Sequence, residues 1–157
     1  MTATSSIRSV SFEPDAKLVN DLRELLSREQ SHLVMADIDA IEALMEEKSV
    51  LLQNINISVK NRYDVLASQG FAASEVGMVE WLKQHANSAI NESWLNFQKS
   101  LSKAKEMNRL NGMLISKHFN RNQQLLNHLQ GNKGAVDGYG KNGQAQSQSL
   151  LRAALTA

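Results

Sequence analysis

The chain has 157 residues, 42% of them hydrophobic but only 5% aromatic, with one proline and no cysteine. That length suits one domain plus a tail, and the missing cysteines exclude disulfides, thiolate metal sites and a cysteine nucleophile while favouring a reducing, cytoplasmic compartment. Seventeen basic against sixteen acidic residues leave a formal net charge of +1, so the totals make no case for nucleic acid or an anionic membrane as partner.

Because the apolar content is mostly Leu, Ile, Val, Met and Ala, the composition predicts an all-α fold. The Ser/Thr-rich start, Met1 to Phe12, has no apolar stretch of the kind a secretory signal needs, and residues 1–13 read as a disordered arm. Pro14 opens a first helix, since its missing N–H costs nothing in a first turn, and Glu13 and Asp15 favour the positive end of the dipole. Leu18, Leu22, Leu25 and Leu33 then carry that helix over about 14–35.

The apolar phase breaks between Ala36 and Asp39, where Asp37 can cap a new helix, and Ile38, Ile41, Met45, Leu52, Ile55, Val59 and Leu66 define a second one over about 38–68. Lys48 and Arg62 share its seam, which must therefore open to water or meet an acid such as Glu29. A tight hairpin at Asp37 is the preferred reading. One continuous helix with a coiled-coil stutter is the alternative, since no Gly or Pro enforces a turn. The uncharged character around Ser49 to Val59 is interrupted by Gln53, Asn54 and Asn56 and falls short of the roughly 20 residues a membrane span needs, so no membrane insertion is expected.

Gly70 ends the second helix, and Ser74 with Glu75 starts a short one carrying Met78, Val79, Trp81 and Leu82. The last helix is the longest, from near Asn87 to Leu129, with a seam of Ile90, Trp94, Phe97, Leu101, Ala104, Asn108, Asn111, Ile115, His118, Asn122, Leu125 and Leu129. At about 1.5 Å per residue it extends roughly 60 Å. The expected body is an elongated antiparallel bundle of three long helices and one short one over 14–130, with the first two packed on the last. A first helix shorter than the last leaves part of the last uncovered.

Beyond Leu129 the glycines Gly131, Gly134, Gly138, Gly140 and Gly143, interleaved with Asn, Lys and Gln, read as a flexible linker within 131–157. Leu150, Leu151, Ala154 and Leu155 follow at helical spacing, in a segment too short to hold a helix without a partner surface.

Two spacings imitate known chemistry. Gly138-Tyr139-Gly140-Lys141-Asn142-Gly143 has the letters of a dinucleotide fingerprint, but no strand precedes it and the chain stops before the acid such a site needs. Glu29-x-x-His32 has the spacing of a di-iron ligand pair, without the second copy that site requires, and His85, His118 and His128 have no metal-ligand spacing among themselves. No cofactor, metal, small-molecule substrate or catalytic residue is therefore expected, and the chain does not read as an enzyme.

Asn108, Asn111, His118 and Asn122 are the more informative departure, because polar residues on an apolar seam cost stability. They form either a register-setting layer or a face that meets a partner or water. The neighbouring stripe of Met107, Leu110, Met113, Leu114 and Phe119 suits an adaptable binding surface and also suits plain core.

Leu25 to Glu29 running into Leu33 and Ala36-Asp37, then Leu44, Lys48, Leu51 and Leu52, and above all Asn108-Arg-Leu-Asn111-Gly112-Met-Leu-Ile115 followed by Leu129-Gln-Gly131 and Tyr139-Gly140-x-x-Gly143, resemble the FlgN-type flagellar export chaperones. The resemblance implies a cytoplasmic type III export chaperone that holds the hook-filament junction proteins FlgK and FlgL through their C-terminal segments before secretion. It also implies that Tyr139 docks at the export gate. Leu110, Leu114, Ile115, Phe119, Leu125 and Leu126 are then the expected client surface, with Leu150, Leu151 and Leu155 closing on it. The alternative is a structural coiled-coil protein that self-associates through the same seams.

Overall fold

Four helices account for nearly all of residues 8–131, the part of the chain that the computed structural model describes. They are α1 (Glu13–Val34), α2 (Ile38–Ser68), α3 (Glu75–His85) and α4 (Ser88–Leu129), and no strand occurs among the described residues. The all-α bundle read from composition and spacing is the observed architecture.

Local chemistry sets the boundaries. Pro14 stands in the first turn of α1 beside Glu13 and Asp15. The Asp37 carboxylate accepts the Ala40 N–H at 3.2 Å, and Asn87 does the same for Ile90 at 2.9 Å, each satisfying a backbone donor that a helix start leaves free. Gly70, at φ 87, closes α2 in the left-handed conformation. The Phe71 N–H then reaches Leu66 O and the Gly70 N–H reaches Ala67 O, the paired bonds of a Schellman ending. Ala36, at φ 53, ends α1 in the same way, with Asp37 N–H to His32 O and Ala36 N–H to Leu33 O. The phase break at Ala36–Asp39 is thus a hairpin, and the continuous helix with a stutter is not formed.

The hairpin folds α2 antiparallel onto α1, so Arg28 meets Glu47 while Asp15 meets Arg62. After α3 the chain turns back, and α4 runs parallel to α1. Phe12 packs on Trp94 and Phe97, Arg23 donates to Ser100, and Asn111 reaches Leu26 and Glu29. The close helix packing is α1 with α2 and α1 with α4. The middle helix is therefore α1, where the sequence placed the last helix at the centre. Val19, Leu22, Leu25 and Leu26 on α1 are accordingly almost wholly buried, together with Leu66 on α2, Met78 on α3 and Ala104 on α4.

Residues 8–12, read from sequence as part of a disordered arm, are instead folded onto the body. Val10 and Phe12 are buried, the Phe12 ring meets Trp94 edge-on at 5.1 Å, and Arg8 O accepts from Gln69 Nε2 at 3.0 Å. Two isolated apolar residues among serines carry no periodic signal, yet they close the end of the bundle where the loops before α3 and α4 leave aromatic surface to cover. Residues 1–7, and the linker and terminal segment from 132 onward, lie outside the described residues.

Candidate functional site

The α1–α4 register determines what stays open. Asn111 on α4 stands beside Glu29 on α1, which places the end of α1 near the level of Ser116, and α2 begins at the same level. The rest of α4, about 20 Å of helix, continues past the hairpin. His118 and Phe119 are half-buried, and every residue from Asn120 to Gly131 is exposed. The uncovered part of the last helix, expected if the first was shorter, is present.

The seam of α4 accordingly has two characters. Inside the bundle it is core, with Phe97 and Ala104 buried. Asn111 is fully buried and its side-chain amide donates to Leu26 O at 2.9 Å and Glu29 Oε1 at 3.0 Å. Glu29 also accepts from Lys48 Nζ at 3.0 Å, so one polar layer joins α1, α2 and α4. Asn111 is a register-setting residue, and the acid that the sequence offered for Lys48 is the one used. Glu29 is thereby engaged away from His32, whose side chain is half-exposed.

Past Ser116 the same seam carries apolar side chains into solvent. Leu125, Leu126 and Leu129 are 54%, 56% and 80% exposed and lie together on the last turns of α4, so they form a group rather than singly scattered surface leucines. The other α4 residues expected at a client surface are less open. Leu110 is exposed by about a third, whereas Leu114, Ile115 and Phe119 are half-buried. Met113, which the sequence offered only as a neighbour, is 57% exposed. Tyr139, Leu150, Leu151 and Leu155 lie outside the described residues.

The apolar surface extends onto the hairpin tip, where Val34, Met35 and Ile38 are each more than half exposed. One end of the bundle thus gathers uncovered apolar groups from α1, α2 and α4. The sequence hid the tip residues because they read as the ordinary ends of two amphipathic helices. Electrostatics on α4 divide at Glu106, whose carboxylate is gripped by Arg109 at 2.8 and 3.0 Å and held below the usual carboxylate range by that hydrogen bond. No helix among the described residues is long and apolar enough to cross a membrane, and no cluster of His, Asp or Glu among them could hold a metal ion.

Comparison with known proteins supplies the family. No solved structure gives a significant match. The flagella synthesis protein FlgN of Escherichia coli (strain K12) is 26% identical over 132 residues, covering 83% of each chain. Residues 10–147 match the family described as FlgN protein, a span that takes in all four helices and continues through Tyr139. The chain belongs to the FlgN protein family.

Proposed function

We propose that the chain is a cytoplasmic type III export chaperone that binds the hook-filament junction proteins FlgK and FlgL through their C-terminal segments, keeps them unassembled and delivers them to the export gate. The observation that carries this reading is the length of α4 beyond the α1–α2 hairpin, with Leu125, Leu126 and Leu129 exposed on the continuation of a core seam. A client amphipathic helix can complete that seam as α1 completes it within the bundle. Its own ordering cost keeps the complex specific and reversible. The terminal segment with Leu150, Leu151 and Leu155 closes on the bound client, and Tyr139 is the contact with the export gate.

Deletion of residues 131–157 tests the division of labour. Helicity is expected to stay nearly unchanged while affinity for FlgK and FlgL C-terminal peptides falls by about tenfold or more, roughly 1.4 kcal/mol. Unaltered affinity contradicts the role of the tail. A stable large oligomer in light scattering that ignores those peptides favours the self-associating coiled-coil reading of the same seam.

A further inference from the structure

Resting on the reading of α4 as the client surface, we infer that the segment it takes is an amphipathic helix that sets apolar side chains on Leu125, Leu126 and Leu129 and carboxylates on Lys117 and Arg121.

The near-zero net charge conceals a strong separation along the chain. Every acidic residue except Asp137 lies at or before Glu106, and Glu106 is already tied to Arg109. From Met107 to the end of α4 there is no Asp or Glu, while Lys117 and Arg121 stand exposed without an ion-pair partner among the described residues. The acids of the hairpin tip do not neutralise them. Asp37 is occupied with capping α2, and neither it nor Asp39 forms an ion pair.

Helical geometry puts these cations in line with the exposed leucines. Residues four apart lie on neighbouring turns of one face, so Lys117, Arg121, Leu125 and Leu129 make a single row that is basic beside the hairpin and apolar toward the tip. The helix dipole does not account for the two cations, because its influence is confined to the last turn and Arg121 stands two turns before Leu129. A basic row continuous with an uncovered apolar seam fits a partner whose acids and apolar groups follow the same order. Such a match contributes orientation and on-rate more than raw affinity.

The test uses the full-length protein and two synthetic amphipathic peptides with one shared leucine face, flanked by Glu in one and by Lys in the other. The Glu-flanked peptide is expected to bind about tenfold tighter at low salt, with the advantage shrinking as salt is raised and reversing in Lys117→Glu/Arg121→Glu. Leu125→Ser/Leu126→Ser weakens both peptides alike. Equal affinity for the two peptides overturns the charge inference and leaves the docking reading standing, whereas binding of neither overturns both. A dimer of the free protein that Lys117→Glu/Arg121→Glu dissociates assigns the basic row to a second copy and overturns the inference.

Discussion

Glu29 on α1 meets Lys48 on α2 at 3.0 Å with both side chains almost wholly buried, and fourteen residues away along each helix Asp15 meets Arg62 at 2.7 Å in the same burial. Fourteen residues are two heptads, so both pairs sit in one register of the antiparallel hairpin. Sliding α1 against α2 by one heptad separates both pairs and leaves Asp15, Glu29 and Lys48 buried without an ion-pair partner, while Arg62 keeps Glu75. The hairpin register is thus enforced by two buried ion pairs, with Arg28 and Glu47 forming an exposed third across the same helices. Asn111 adds a second donor to Glu29 Oε1, and Ser58 donates to the Asp15 oxygen that Arg62 Nε does not reach.

Removing one partner of such a pair strands the other. Lys48→Met is expected to destabilise the bundle by about 3–5 kcal/mol, and Glu29→Met/Lys48→Met to recover most of that loss, since an apolar pair of similar volume replaces buried charge at little cost. Urea denaturation followed by circular dichroism measures both variants. A double variant no more stable than the single one contradicts this explanation.

Phe12 is expected to be a structural residue despite its place in a Ser-rich start. Its ring packs on Trp94 and Phe97 at 5.1 and 6.0 Å, and Phe12→Ala should cost roughly 3 kcal/mol or more and alter tryptophan fluorescence. A variant with unchanged stability would return residues 8–12 to the status of an arm.

The Tyr63 hydroxyl donates to Glu75 Oε1 at 2.8 Å. Burial first, and that hydrogen bond second, push its pKa up to about 12, against about 10 for a free tyrosine. A raised folded-state value means that the stabilisation is complete below about pH 10 and is lost as pH rises through about 12. In Tyr139→Phe, where Tyr63 is the remaining tyrosine of the two, tyrosinate absorbance should rise with a midpoint near 12. A midpoint at the free-tyrosine value contradicts the contact with Glu75.

Ala36 holds a left-handed conformation at φ 53, which costs a residue with a Cβ about 1–2 kcal/mol. Ala36→Gly relieves that strain but adds unfolded-state freedom. The net expectation is a gain of up to about 1 kcal/mol, read as a higher thermal midpoint. A loss of stability would show that the Ala36 methyl contributes packing at the tip.

How much of this was legible before the structure follows from the kind of signal each feature leaves. Caps and phase breaks are local, so Asp37, Gly70, Ser74 and Asn87 bound helices where the sequence placed them. The partner of Lys48 was legible as Glu29, because a buried cation on a seam demands an acid at the matching level. The partner of Arg62 was not, since an acid next to Pro14 reads first as a favourable charge in a helix start. The choice of α1 as the middle helix depends on long-range register, which periodicity does not specify. The charge division at Glu106 was written in the sequence throughout, but a sum over the whole chain erases it. For the proposed client surface, spacing offered the residues of α4, and only the α1–α4 register separates the open Leu125 and Leu126 from the half-buried Leu114, Ile115 and Phe119.

The central claim is that α4 past the hairpin is where clients bind, and calorimetric titration of Leu125→Ser/Leu126→Ser/Leu129→Ser with FlgK and FlgL C-terminal peptides tests it most directly. All three side chains are more than half exposed, so the variant should keep its fold stability to within about 0.5 kcal/mol while client affinity falls by about tenfold or more. Wild-type affinity in a fully folded triple variant would contradict the claim.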